Sequence, residues 1–186
     1  MGTDETRAAT GVPGLDEILG GGLTKGHAFL LEGTPGTGKT TIAVKYLLEG
    51  EEEGDKCLYI TLSETVAELR SGAASHGWTL GDSITVFELV PPEDILDASR
   101  QQSLLYASDL ELGETTKSII DVIERVRPDR IVLDSLSETR LLAQSSLKYR
   151  RQLLAMKHFF ARHGATVLLL DDRTSEVSDK TAHSIV

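Results

Sequence analysis

The strongest constraint on the fold is a glycine-rich segment that lies between an apolar run and a stretch of helical periodicity. Residues 33–40 read GTPGTGKT, which fits the spacing G-x-x-x-x-G-K-S/T of a phosphate-binding loop. The apolar run 28–31 precedes this segment, and apolar residues recur at helical spacing over 40–49. A strand, a glycine-rich turn and a helix N-terminus in this order predict a site for phosphate groups.

Each residue type in the loop has a physical role in holding phosphate. Glycines let the backbone curl so that successive N–H groups point inward, where they add to the partial positive charge of the helix N-terminus. Lys39 is expected to reach the β- and γ-phosphates of a nucleotide, the hydroxyl of Thr40 to bind Mg²⁺, and Thr41 to lie near the α-phosphate. The candidate nucleotide-binding residues of the loop are Gly33, Thr34, Pro35, Gly36, Thr37, Gly38, Lys39, Thr40 and Thr41.

The rest of the chain alternates short apolar runs with longer stretches of helical period. This alternation predicts an α/β fold with a mostly parallel sheet sandwiched by helices. Strands are predicted at 28–31, 58–62, 84–89, 130–133 and 166–170, and helices at 40–49, 65–76, 114–127 and 146–163. We interpret residues 91–112, which mix a Pro-Pro pair with acidic residues, as a loop with short helices.

Length and the distribution of apolar residues bound the domain organisation. A chain of 186 residues is long enough for one compact domain, so we expect a single domain over 1–186. Residues 184–186 begin a new apolar run, and we therefore expect the natural protein to continue beyond this chain. The longest apolar stretch, 165–170, is too short for a membrane span, and residues 1–10 lack the apolar core of a signal peptide. We expect a cytoplasmic protein with no membrane partner.

Charge and cysteine content exclude several classes of function. Lys and Arg number 19 against 29 Asp and Glu, a net charge of −10 that repels phosphate backbones and makes a nucleic-acid partner unlikely. The acidic run 49–55 is interpreted as a solvated helix end. The single cysteine, Cys57, excludes an intrachain disulfide, and the five histidines show no spacing typical of a metal site.

Acidic residues at the ends of two predicted strands are candidates for metal binding and catalysis. Asp134 follows the strand 130–133, and in a parallel sheet it would lie at the same edge as the glycine-rich loop, where it would hold Mg²⁺ through water. Glu64 follows the strand 58–62 and is the candidate base that orients water at the γ-phosphate, with Lys39 and Asp134 as the other catalytic candidates. The alternative for Glu64 is a first-turn acid that stabilises a helix N-terminus.

A longer signature precedes the glycine-rich loop. Residues 10–23 read TGVPGLDEILGGGL, which resembles the segment before the first core strand of the KaiC-like ATPases of the RecA superfamily. The resemblance covers nearly the whole chain and includes residues 62–80, with Glu64, Glu68 and the His76-Gly77-Trp78 step. It implies a RecA-like P-loop NTPase fold, truncated here at its C-terminus, that binds ATP or ADP with Mg²⁺ and forms a hexameric homo-oligomer.

The resemblance also implies roles for residues at the strand ends. In KaiC two adjacent glutamates activate the water, whereas this chain has Ser63 followed by Glu64, so Glu64 alone is expected to act as the base. The strand 166–170 is expected between the two strands that carry the loop and Asp134. This order would bring Asp171 or Asp172 near the γ-phosphate as a polar sensor.

The resemblance implies that Lys and Arg residues of a neighbouring subunit complete the site. In the family these Lys and Arg residues lie on a segment beyond the point where the chain stops, so slow hydrolysis is expected from this chain alone. Arg140, Arg150 and Arg151 could face a neighbour, or could serve surface solubility.

Three functions are compatible with these observations. The first is an ATP-binding and ATP-hydrolysing domain that acts as an oligomeric signalling switch with an unidentified partner, to which a longer protein could add autokinase activity. The second is a DNA recombination or repair ATPase on the same fold, which the net charge counts against. The third is a nucleotide-sensing scaffold without turnover, which Ser63 at the position of the first glutamate favours.

Overall fold

The computed structural model describes residues 6–89, 104–143 and 145–173. The strands in these ranges are β1 (Arg7–Ala8), β2 (Leu23–Thr24), β3 (Ala28–Gly33), β4 (Cys57–Thr61), β5 (Ile84–Glu88), β6 (Arg130–Asp134) and β7 (Thr166–Asp172). The helices are α1 (Pro13–Ile18), α2 (Lys39–Glu52), α3 (Val66–Ser75), α4 (Leu104–Val126), α5 (Leu136–Leu142) and α6 (Ser146–His163).

The centre of the fold is a five-stranded parallel sheet in the order β3-β7-β6-β4-β5. The five predicted strands are confirmed, and β7 lies between β3 and β6 as the resemblance implied. Three strands run further than expected, β3 to Gly33, β6 to Asp134 and β7 to Asp172. Because all five strands are parallel, their carboxyl ends share one edge with the glycine-rich loop.

Helices cover both faces of the sheet, which confirms the predicted α/β architecture. One buried cluster contains Leu47 of α2, Leu69 of α3 and Val132 of β6. The other contains Ile123 of α4 and Phe160 of α6, together with the residues on either side of Val132 in the same strand. Successive residues of β6 therefore alternate between the two cores, as the pleat of a strand buried on both faces requires.

The region before the predicted third helix is a correction to the sequence-based expectation. Helix α4 begins at Leu104, ten residues before the predicted start, so the loop interpretation is wrong for 104–112, while 90–103 lie outside the described residues. Gly113 sits exposed inside this helix, although glycine is about 1 kcal/mol less favourable there than alanine. Leu112 and Ile119 of this helix are buried, Ile119 in the cluster against the sheet, and their burial offsets that local cost. Helix α5 was not predicted at all.

A short antiparallel pair, β1 and β2, lies before the main sheet. The turn that precedes β2 contains Gly22 at φ +124°, where an added Cβ would meet the carbonyl oxygen of Ala8 at 2.2 Å. Only glycine fits there, which accounts for part of the GGG sequence. None of the helices in the described ranges combines the length and hydropathy that a membrane-spanning helix requires.

Candidate functional site

The glycine-rich loop connects the end of β3 directly to the start of α2. Gly36 and Gly38 have φ of +80° and +87°, in the left-handed region that favours glycine. The hydroxyl of Thr37 donates to the carbonyl of Thr34 at 2.8 Å and closes the turn. The loop thus leads into a helix whose first N–H groups lack intrahelical acceptors and carry partial positive charge, as an anion site needs.

Lys39 folds back over this loop. Its ammonium donates to the carbonyls of Gly33 and Thr34 at 3.0 Å each, and pairs with Oδ1 of Asp172 at 2.7 Å. Only 11% of its side chain is exposed. An ammonium has three N–H donors, so these three acceptors account for all of them.

The carboxylate of Asp134 lies opposite the first turn of α2. It is buried at the end of β6 and accepts hydrogen bonds at Oδ2 from the hydroxyls of Tyr59, at 2.5 Å, and Thr40, at 3.3 Å. Burial raises the pKa of Asp134, and the two hydrogen bonds oppose that rise because they favour the charged form. The structure therefore brings together Thr40 and Asp134, the two residues that the sequence suggested for a metal.

Tyr59 is a residue of this site that the sequence analysis missed. Its side chain is almost fully buried, and burial together with the neighbouring Asp134 raises the pKa of its hydroxyl well above the ordinary value. In the register of the sheet Thr61 lies beside Asp134, which places Tyr59 two residues back along β4. The available signal was a tyrosine inside an apolar strand, because a buried tyrosine hydroxyl needs a partner.

Glu64 follows β4 and precedes α3. Its main chain is held by Thr61, whose hydroxyl donates to the Glu64 carbonyl at 2.8 Å and accepts from its N–H at 3.0 Å. The alternative role of helix-capping acid is taken by another residue, since Glu68 forms a reciprocal capping box with Thr65. Burial, with Asp134 and Glu68 as like charges, raises the pKa of Glu64.

A cavity of about 350 Å³ opens between α2 and α3 beside the loop. Its lining includes Thr40, Thr41 and Glu64, and also His76 and Trp78, whose rings stack at 5.0 Å between centroids. The remaining lining residues are Val44, Ser63, Glu68, Leu69, Gly72, Ala73 and Ser75. The cavity is thus continuous with the helix N-terminus and mixes polar and apolar walls.

The carboxyl end of β7 separates the two candidate sensor residues. Asp171 is buried, pairs with Nη2 of Arg140 at 2.5 Å and accepts from the hydroxyl of Ser137 at 2.7 Å. Asp172 points to the other side and contacts Lys39. Of the two candidates, Asp172 is therefore the one that the structure brings to the loop.

Two of the three arginines that could face a neighbouring subunit lie on α6. Arg150 and Arg151 are exposed on α6. Within the described ranges, no three or more His, Cys, Asp or Glu side chains are arranged to hold a metal ion.

A parallel sheet with a glycine-rich loop after its edge strand, and a buried aspartate on a nearby strand, defines the class of RecA-like P-loop NTPases. Comparison with known families makes the assignment specific. Residues 8–186 match the family model described as "ATPase: KaiC". The chain belongs to this KaiC ATPase family.

Curated relatives from archaea and cyanobacteria agree with the family assignment. The chain is 29% identical to a UPF0273 protein of Methanopyrus kandleri and 30% identical to one of Aeropyrum pernix, over 89% and 88% of its own length. It is 30% identical, over 90% of its length, to the circadian clock oscillator protein KaiC of Synechococcus elongatus. The chain spans 66% and 67% of the two archaeal proteins and 32% of the cyanobacterial one.

Proposed function

We propose that this chain is an ATPase domain that binds ATP with Mg²⁺ and hydrolyses it, as part of an oligomeric signalling or regulatory switch. One observation carries the proposal. The hydroxyl of Thr40, at the start of the helix that follows the loop, lies 3.3 Å from the carboxylate of Asp134. A phosphate-binding helix N-terminus and a buried carboxylate thus meet at one point, next to the cavity that Glu64 lines.

The residues present suit Mg²⁺ bound to nucleotide phosphates. Mg²⁺ prefers oxygen ligands in octahedral geometry and keeps several waters, so one hydroxyl and one carboxylate are sufficient protein contacts. Burial raises the pKa of Asp134, and a nearby cation would offset that cost of a desolvated negative charge. Thr40 would bind the ion directly and Asp134 through water, and the ion would neutralise charge on the β- and γ-phosphates.

Hydrolysis in this proposal depends on Glu64 and Lys39. Glu64 accepts a hydrogen bond from the attacking water and orients it towards the γ-phosphate. Lys39 moves from its resting acceptors to the β- and γ-phosphates, where it stabilises the charge that develops during transfer. Loop amides from Gly33 to Thr41 hold the other phosphate oxygens.

The cavity between α2 and α3 is proposed to hold the ribose and base. It begins at Thr41, where the α-phosphate would lie, and its volume of about 350 Å³ suits a nucleoside. The stacked rings of His76 and Trp78 offer a flat aromatic surface on its wall. In this assignment the phosphates, the ribose and the base of the nucleotide lie next to one another beside α2.

The proposed switch acts as an oligomer. Residues 1–186 are taken as one ATPase domain of a cytoplasmic protein whose longer form assembles into a hexameric ring with a signalling partner. Relatives of the chain include the circadian clock protein KaiC3 of Synechocystis and the circadian clock oscillator protein KaiC of Synechococcus elongatus, which supports a regulatory role for the family. Autokinase activity would belong to the longer protein.

The test is nucleotide binding and steady-state hydrolysis with Mg²⁺ by the wild type, Lys39→Ala and Glu64→Gln. Lys39→Ala is expected to lose binding, whereas Glu64→Gln is expected to bind and to hydrolyse about 100-fold more slowly, the usual scale for removing a base. Glu124→Gln, an exposed carboxylate on α4, is the matched control. Equal turnover by the wild type and Glu64→Gln would remove Glu64 from the mechanism.

A second candidate function is a nucleotide-sensing scaffold. Ser63 lines the cavity where the family's KaiC has a glutamate, so the chain offers one carboxylate at that position instead of two. Tight binding of ATP by the wild type with no hydrolysis, even at high protein concentration, would favour this function over the switch ATPase.

A further inference from the structure

A carboxylate of the chain itself forms an ion pair with Lys39, the lysine proposed to bind phosphate. Asp172 lies 2.7 Å from Nζ of Lys39, and the other two donors of that ammonium are used by the carbonyls of Gly33 and Thr34. A phosphate can reach this lysine only by displacing one of the three acceptors. The carboxylate is the acceptor that a second anion would repel, so it is the one that must yield.

The position of Asp172 is set by the register of the sheet. Asp172 pairs with Gly33, the first residue of the loop, across β7 and β3. The N–H of Arg173 then donates to the Gly33 carbonyl at 2.9 Å, which ties the end of β7 to the start of the loop. Backbone contacts therefore fix Asp172 beside the loop, and its side chain needs to span only a short distance to reach Lys39.

A second set of contacts holds Asp172 from the opposite side. Its N–H donates to the hydroxyl of Ser137 at 3.1 Å, and that hydroxyl donates to Asp171 at 2.7 Å. Arg140, one turn further along α5, pairs with the other oxygen of Asp171 at 2.5 Å and lies over the ring of Tyr149 at 5.3 Å. The contacts run without interruption from Lys39 to the half-exposed Arg140.

We propose that Asp172 competes with nucleotide phosphate for Lys39, and that Ser137 and Arg140 of α5 are positioning residues that hold Asp172 in the competing position. The inference rests on the proposed nucleotide site. Nucleotide binding then requires Lys39 to leave Asp172, and the affinity of the loop for phosphate depends on how firmly α5 fixes the end of β7. Arg140 is half-exposed where α5 meets α6, so a change at this part of the surface would alter the position of Asp172.

The first experiment compares dissociation constants for Mg²⁺-ADP and a non-hydrolysable Mg²⁺-ATP analogue in the wild type, Asp172→Asn and Lys39→Ala. Asp172→Asn keeps the shape of the side chain and removes its charge, so binding is expected to tighten about two- to fivefold, the scale of a partly exposed ion pair. Asp121→Asn, an exposed aspartate on α4, controls for the change in net charge.

The outcomes separate this inference from the proposed function. If the wild type binds and Lys39→Ala does not, but Asp172→Asn binds equally or more weakly, then Asp172 is no competitor and the nucleotide site stands. If the wild type, Asp172→Asn and Lys39→Ala all fail to bind, the proposed function falls and this inference falls with it.

The positioning role is tested by a double-mutant cycle. Arg140→Met and Ser137→Ala are each expected to tighten binding in the wild-type background and to have no effect in the Asp172→Asn background, because they act through Asp172. Arg140→Lys should restore the wild-type value. Equal shifts in both backgrounds would overturn the positioning role, and Ser137→Ala keeps the test decisive if Arg140→Met fails to fold.

Discussion

At the scale of single residues, Tyr59 controls the charge of Asp134. Its hydrogen bond favours the carboxylate and so holds the pKa of Asp134 down against the effect of burial. Tyr59→Phe removes that donor, and the pKa of Asp134 should rise further. We therefore expect the variant to bind Mg²⁺-nucleotide more weakly than the wild type. As the pH falls, the variant should also lose binding at a higher pH than the wild type does. Dissociation constants measured over a range of pH would test both expectations.

The control for this prediction is Tyr46→Phe. Tyr46 is also a buried tyrosine, but its hydroxyl donates to the carbonyl of Thr166 at 3.1 Å, away from Asp134. Its pH dependence of binding should match the wild type. Identical profiles for Tyr59→Phe and the wild type would contradict the role given to Tyr59.

The ionisation of Glu64 leads to a prediction for the rate of hydrolysis. Burial, Asp134 and Glu68 raise the pKa of Glu64, in that order of size. A base acts only when deprotonated, so hydrolysis should be lost as the pH falls through this raised pKa, above the range of an ordinary glutamate. Glu68→Gln removes one like charge and should move the acid limb of kcat to lower pH. An unmoved limb would exclude this electrostatic coupling.

Site residues that belong to one continuous motif could be predicted from the sequence. Contacts that form only when distant strands pair could not. Lys39 and Thr40 were found because the loop motif is continuous, and Asp134 because it ends an apolar run. Tyr59 bonds to a residue 75 positions away, and only the pairing of β4 with β6 brings the two together. The contact between Lys39 and Asp172 likewise depends on the register of β3 and β7.

At the scale of elements, Arg130 joins α2 to the start of β6. Its guanidinium is 1% exposed and donates to Asp55 and Glu53 at 2.6 Å each, and to the carbonyl of Ala9 at 2.6 Å. It passes so close to Gly50 that an added Cβ would lie 2.5 Å from its Cδ. A glycine inside a helix is thus explained by the side chain that crosses it.

The acidic run ends α2 and residues 52–54 are exposed, as a solvated helix end requires, but several of its carboxylates also have partners. Glu53 and Asp55 bind Arg130, and Glu51 accepts hydrogen bonds from the N–H of Gly81 and the hydroxyl of Ser83. The sequence shows a run of like charges and no sign of its partners, because the partners lie on β6 and on the turn before β5. A charge run can therefore be interpreted only after the fold is known.

Removing Arg130 should destabilise the fold and leave the site intact. Arg130→Met leaves Glu53, Asp55 and the carbonyl of Ala9 without their donor, and because both carboxylates are partly exposed we expect a loss of about 1–3 kcal/mol in the free energy of unfolding. Chemical denaturation would measure this loss. Arg125→Met, an exposed arginine on α4, should change stability by less than about 0.5 kcal/mol. A similar loss in both variants would contradict the proposed role of the cluster.

At the scale of the whole molecule, the parallel sheet brings three separate parts of the chain to one edge. The loop after β3, Glu64 after β4 and Asp134 at the end of β6 meet there, although nearly 100 residues separate the first from the last. The alternation of apolar runs and helical periods was sufficient to predict this convergence. The same pattern did not predict the start of α4 or the existence of α5, because both depend on packing against the rest of the fold and not on local periodicity.

The distribution of charge over the molecule distinguishes a signalling ATPase from a DNA-dependent one. The net charge is −10, but α6 carries five Lys and Arg and no Asp or Glu, so any affinity for nucleic acid would be concentrated on this helix. We expect no binding of a single-stranded DNA oligonucleotide with Mg²⁺-ATP, at low or physiological salt, in fluorescence anisotropy. We also expect no stimulation of hydrolysis by DNA. Binding at low salt that weakens steeply as salt rises, and that is lost in Arg150→Gln with Arg151→Gln, would instead support the recombination or repair ATPase.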